Sequence, residues 1–167
     1  MWLAQHEISI LGAYFLTCPL KSMVRIVRIK VFGERHFMKV YTHIDEDRTH
    51  FDIYVSLLRR LGSNYLIMNF NLRLKSEGAT DFQKIIDMKG VNFCKFLMDP
   101  LLQNFFRSEI LLCPVKIGNY SIMRLETGKV IDPHVLSRGT YKFFVEIVEA
   151  TGEIPKVFAM QVISQIT

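Results

Sequence analysis

The sequence has few of the features that would announce an enzyme, a membrane protein or a nucleic-acid binder. Its apolar stretch near the start, Ile8 to Leu16, falls far short of the roughly 20 residues that a membrane-spanning helix needs, so a transmembrane anchor is not expected. No G-x-S-x-G, Walker loop, G-x-G-x-x-G or H-E-x-x-H occurs. Triads can still be assembled from distant positions, so this lowers the odds of catalysis without abolishing them. The reading is of a protein that is not an enzyme and has no cofactor and no metal. Internal repeats, low-complexity tracts and linkers are absent too.

Basic residues outnumber acidic ones, 21 to 16, for a formal charge of +5. They come singly or in pairs such as Arg59-Arg60, and no run of five or more exists to form an electrostatic stripe. Nucleic acid is therefore not an expected partner. A solvated ordinary surface is the leading reading of the charge, with a preference for anionic membranes second. Cysteine is scarce as well, with only Cys18, Cys94 and Cys113. Three scattered thiols mean little in a reducing compartment, where cysteine is often just a small buried residue.

What the chain does have is apolar bulk. Of its 167 residues, 50% are hydrophobic, with 13 Phe and 6 Tyr. That is enough for one domain with a continuous core and too apolar for disorder. Composition alone does not separate a solid core from a cavity lined by side chains.

A periodicity of two dominates, which predicts strands with one face buried. Val27, Ile29 and Val31 alternate with Arg28, Lys30 and Phe32, and Met38, Val40, Thr42 and Ile44 alternate with Lys39, Tyr41 and His43. Gly33-Glu34-Arg35-His36 between them predicts a hairpin turn, with Gly33 supplying positive φ. Phe51, Ile53, Val55 and Leu57 then point one way and His50, Asp52, Tyr54 and Ser56 the other, the cleanest alternation in the chain. Tyr65 to Lys75 reads as extended, with Leu66, Met68, Phe70, Leu72 and Leu74 on one face. Asp81 to Leu97 is mixed, and Gly90 to Leu97 reads as extended. Asp99-Pro100 is a helix start, and Leu101, Leu102, Phe105, Phe106 and Ile110 follow at helical spacing, predicting a short amphipathic helix from Pro100 to about Ile110. Tyr141, Phe143, Val145 and Ile147 form one face of a later strand, and Phe158, Met160, Val162 and Ile166 one face of the last. Short strands separated by turns, with one helical insertion, predict an all-β, immunoglobulin-like antiparallel sandwich or cup.

His43-Ile44-Asp45 and His50-Phe51-Asp52 form the one constellation that suggests a metal or acid-base site. The spacing could bring the four side chains to one face around the turn at Asp45 to Arg48, but it is not that of a known zinc motif. A solvent-facing polar stripe is the preferred reading.

Two spaced signatures lie in the last third, Cys113-Pro114-Val115-Lys116-Ile117-Gly118-Asn119-Tyr120-Ser121 and Leu136-Ser137-Arg138-Gly139-Thr140-Tyr141-Lys142-Phe143. The pattern C-P-x-K-x-G-x-Y-S followed by L-x-x-G-x-Y-K resembles the ganglioside-activator branch of the ML lipid-recognition superfamily. Cys18-Pro19-Leu20-Lys21 with Arg25, and Cys94-Lys95-Phe96-Leu97, resemble elements of insect secreted proteins related to the CheB gustatory group. The resemblance implies residues 21–167 as a single ML-like β-sandwich domain and Cys18 inside the mature protein. Ile8 to Leu16 has the length of a signal-peptide apolar region but follows a Met1–Glu7 stretch with no Lys or Arg, so 1–20 stays open between a degenerate signal region and mature chain. The resemblance further implies a disulfide between Cys94 and Cys113, with Cys18 free or paired with another chain. Relatives usually carry more cysteines, including one near the last turn, where this chain reads Lys156-Val157-Phe158-Ala159.

Alternating apolar residues are more often plain core than ligand cavity, and an apolar helical stripe more often a packed lid than a gate. The resemblance shifts the reading to a cup whose sheets are held apart by an acyl-sized cavity, lined by Phe51, Ile53, Val55, Leu101, Phe105, Phe106, Phe143, Val145 and Ile147. It implies a secreted monomer that binds a lipid or other hydrophobic small molecule, with a chemosensory role and contact with a membrane surface or receptor. In a secreted chain the sequon at Asn119 is a glycosylation site. The alternative is an accessory module of the same fold, closed on a solid core, that binds a receptor without a lipid.

Overall fold

The computed structural model describes residues 23–62, 66–98, 113–126, 137–150 and 156–167. Within them the chain runs β1 (Val24–Gly33), β2 (Met38–Ile44), β3 (His50–Leu57), β4 (Leu66–Ser76), β5 (Gln83–Asn92), α1 (Phe93–Leu97), β6 (Gly118–Glu126), β7 (Gly139–Glu149) and β8 (Phe158–Ile166). The strands form two antiparallel sheets, one of five strands in the order β1-β8-β7-β4-β5 and one of three in the order β2-β3-β6. This is the all-β sandwich that the alternation predicts. The predicted helix at 100–110 lies outside the described residues.

β1 and β2 do not form the hairpin read from Gly33 to His36. β1 pairs with β8 and β2 with β3, so residues 34–37 carry the chain from one sheet to the other. Phe37 and Met38 donate N–H bonds to the carbonyl of Glu34, which makes the corner. Gly33 serves by size rather than by φ: a Cβ there would stand 2.7 Å from Met38 Cγ and 2.9 Å from Val40 Cγ1. The two sheets can approach here because that atom is missing.

The predicted inward faces hold in β2, β3, β4, β7 and β8, although Asp52 of β3 and Ala159 of β8 are buried on the opposite face and in β7 only Tyr141 and Ile147 are fully buried. In β1 burial changes phase. Val24 and Ile26 are buried, Val27 is 47% exposed, and Ile29 and Val31 are half-buried. A bulge between Ile26 and Arg28 inserts Val27 as an extra residue against β8, turning outward a side chain that strict alternation sends inward. Arg48, in the β2–β3 turn with φ 58°, locks that bulge. Its guanidinium donates to the carbonyls of Ile26 (2.8 Å) and Val27 (2.6 Å), and its own carbonyl accepts the Ile26 N–H at 2.7 Å. The three-stranded sheet is thereby tied to the edge strand of the larger one.

The stretch Gly90 to Leu97 is not all extended. β5 ends at Asn92, whose side chain accepts the Lys95 N–H at 3.0 Å and caps the single turn of α1. The turn places Cys94 against Cys113, and the two form a disulfide. Gly62 lies beside it, where a Cβ would run into both sulfurs. Paired N–H bonds between Leu61 and Val115 fasten the same region. Phe93, Leu61 and Val115 join Met38, Leu57, Met68, Ile147 and Val157 in a buried cluster that closes this end of the sandwich.

Candidate functional site

The two sheets differ in width, and that difference creates the candidate site. The inner faces of β7 and β8 look onto β2 and β3, and the side chains meet. Phe51 and Ile53 of β3 are buried in one cluster with Ile26, Met160 and Val162, and Val55, Phe143 and Val145 pack against it. Ile147 belongs to the cluster at the disulfide end. The six predicted lining residues from β3 and β7 therefore all lie on inner faces. Phe51, Ile53 and Ile147 are buried in core, while Val55, Phe143 and Val145 are half-buried. Leu101, Phe105 and Phe106 lie outside the described residues, as does Cys18.

On the β5 side the larger sheet runs past that core. Ile86 stands directly opposite buried Leu72, and Met88 opposite half-buried Phe70, so both share the inner face of β4. Yet they are 38% and 46% exposed. Phe70 makes an edge-on contact with Phe143, ring centroids 4.7 Å apart. Phe70, Phe143, Ile86 and Met88 thus form an apolar shelf that leads from the core to the open edge. Of these four, only Phe143 appeared among the predicted lining residues. Phe70 was readable from the alternation in β4. Ile86 and Met88 were not, because β5 carries bulges at Ile85 and at Lys89-Gly90 that break its period.

The His-Asp constellation does share one face, with exposed His43 directly opposite Asp52, but its Asp52 end is not solvent-facing. Asp52 is 7% exposed, and its carboxylate accepts the Arg124 N–H at 2.8 Å and the Tyr54 hydroxyl at 3.2 Å. Met123 and Arg124 together stand opposite Asp52, and Arg124 has φ 54°, so the carboxylate fastens a bulge in β6. Desolvation, then the bond to Asp52, raises the Tyr54 pKa above the usual phenol range. The groups that do converge are Asp45, Asp47 and His50, whose ligand atoms lie within 4.8 Å of one another. The side chains of Asp47 and His50 already serve the turn. Asp47 accepts from the Thr49 N–H at 2.9 Å and the Thr49 hydroxyl at 2.7 Å, bonds that hold its carboxyl below the usual range.

The two signatures share one local structure. In each, a glycine of positive φ (Gly118, 156°; Gly139, 148°) precedes by two residues a tyrosine whose hydroxyl donates to the carbonyl four residues upstream. Tyr120 reaches Lys116 O and Tyr141 reaches Ser137 O, both at 2.8 Å. Gly139 is held by contact as well, since a Cβ there would meet the Lys75 carbonyl oxygen at 2.5 Å. Asn119, in the first signature, is exposed on β6.

Compared with known proteins, the chain matches no protein-family model and no curated sequence.

Proposed function

We propose that the protein is secreted and binds a lipid or similar hydrophobic small molecule between its sheets, without performing chemistry on it, as a carrier of chemosensory cues. The observation that carries this reading is the apolar shelf. The inner face of the five-stranded sheet continues past its three-stranded partner and ends in the exposed side chains of Ile86 and Met88. A contiguous apolar surface leading out of a sandwich core is the kind of patch that marks a ligand-binding groove. The disulfide is in keeping with an oxidising compartment, and exposed Asn119 is accessible to glycosylation in such a compartment.

The shelf favours one place for the proposed ligand within the sandwich. Phe51 and Ile53 are already in contact with the opposite sheet, so an acyl chain would lie toward β4, β5 and β7, against Phe70 and Phe143. Burying ten methylenes gains roughly 8 kcal/mol before ordering costs, which corresponds to micromolar or weaker binding once those costs are subtracted.

Titration of the delipidated protein with a fluorescent fatty acid tests this. Saturable binding is expected, weakened at least tenfold by Met88→Glu, because a carboxylate on the shelf must be desolvated by the chain it meets. Binding unaffected by Met88→Glu would remove the shelf from the site, and absence of saturable binding to the native protein would favour an accessory module that binds a receptor.

A further inference from the structure

The outer face of the five-stranded sheet, turned away from the sandwich interior, gathers basic residues that lie far apart along the chain. In the row nearest the strand ends, Arg25 of β1 stands opposite Gln165, Gln165 opposite Thr140, and Thr140 opposite Lys75 of β4. In the next row, Arg28 stands opposite Ile163, Ile163 opposite Lys142, Lys142 opposite Arg73, and Arg73 opposite Lys84 of β5. Neither row holds a carboxylate. At strand spacings of about 4.8 Å and about 7 Å between alternate residues, six cations occupy a band roughly 19 Å long and one row-spacing wide. No run of basic residues in the sequence signals this band, because strand register assembles it.

Like charges directly opposite each other weaken a sheet, and Arg73 has a cation on each neighbouring strand. The nearest acids compensate only part of the band. Asp87, one row on, accepts from Lys84 at 2.7 Å and lies 4.0 Å from Lys89. Its carboxyl is held below the usual range by the hydrogen bond from Lys84, with the charges of Lys84, Lys89 and Arg73 adding to it. Glu146, a further row on, pairs with Lys156 at 3.3 Å. At the strand ends, the Ser76–Ala79 turn and the start of β7 enclose a concavity of about 300 Å³. Among the described residues, Lys75, Arg138, Thr140, Gln165 and Thr167 line it together with the acidic Glu77.

We propose that this face binds a linear sulfated polysaccharide, laid across the strands along the two cationic rows, with one anionic group seated in the concavity between Lys75 and Arg138. A long narrow band suits a chain of charges, and Thr140 and Gln165 between the cations can hydrogen-bond its sugar and sulfate oxygens. The rings beside the band are covered by the protein's own cations. Lys142 Nζ stands 4.4 Å above Phe82, and Lys156 Nζ stands 6.0 Å from the ring centre of Phe144. Those contacts compete with base stacking on these rings, on which sequence-independent binders of single strands rely. The disulfide is in keeping with oxidising surroundings, and the choice of a sulfated polysaccharide as the occupant rests on the secretion proposed above.

The test compares two charge-matched double variants for binding to a size-defined, fully sulfated heparin decasaccharide. Arg73→Gln with Lys142→Gln removes two charges from the band, and Lys39→Gln with Lys116→Gln removes two from elsewhere on the molecule. The band variant should bind at least tenfold more weakly and with a shallower dependence on salt, since fewer counterions are released. The control should stay within twofold of the native protein. If the band variant fails to fold by circular dichroism, Arg25→Gln with Arg28→Gln on the edge strand takes its place. Equal weakening in both variants would reduce the effect to net charge and overturn the proposal. Tighter binding to phosphatidylserine vesicles, or to a single-stranded oligonucleotide of equal charge, would overturn it as well.

Discussion

Tyr120 and Tyr141 make the same bond in different surroundings, and the surroundings set what each bond contributes. Tyr120 is partly exposed, and water can replace its hydroxyl at the Lys116 carbonyl. Tyr141 is fully buried, in a cluster with Val24, Leu72 and Ile166. Tyr141→Phe should therefore cost about 1–2 kcal/mol and Tyr120→Phe about 0.5 kcal/mol or less, read from urea midpoints at constant m-value. Burial also pushes the Tyr141 phenol above its usual range. Since the folded pKa exceeds the unfolded value of about 10, the contribution of the neutral phenol is intact below that pH and is lost as pH rises past it. Tyr141→Phe should flatten the alkaline loss of stability. A residue signature read from the sequence thus has a structural explanation independent of any ligand.

At the scale of elements, what the sequence made legible was what alternation encodes. The inward faces of β2, β3, β4, β7 and β8 follow directly from it, because each strand keeps one face against core along its length. β5 hides from the same reading, since two bulges shift its phase and all but its last two residues are exposed. Val27 was misread for a related reason, a single extra residue in β1. Sheet membership was not legible either. The β1–β2 connection has the length and glycine of a hairpin, but β1 finds its partner in β8, more than a hundred residues away, and local chemistry carries no trace of that choice. α1 was missed because its cap, Asn92, sits inside an apolar run that reads equally as strand. Its one turn carries Cys94, and the disulfide to Cys113 encloses a sequence separation of 19 residues. Replacing both cysteines by serine should lower stability by about 3 kcal/mol, as the chain-entropy model gives for a loop of this size. Differential scanning calorimetry of the double variant measures it.

For the whole molecule, two faces of one sheet carry separate possibilities. The inner face of the five-stranded sheet is apolar and overhangs its partner at Ile86 and Met88, while its outer face carries the cationic rows. The formal charge of +5 is therefore not spread evenly. The proposed lipid would take the inner side of the sheet and the proposed polyanion the outer, so on these proposals the two activities should vary independently. Lipid uptake should persist in the band variant, and oligosaccharide binding should persist in Met88→Glu. The lipid reading is tested most directly by native mass spectrometry of the protein purified from a secreting cell. The expected result is a population heavier than the glycan-corrected polypeptide by the mass of one lipid, lost on solvent extraction and restored by adding that lipid back. A single species at the polypeptide mass, unchanged after incubation with lipid, would contradict it.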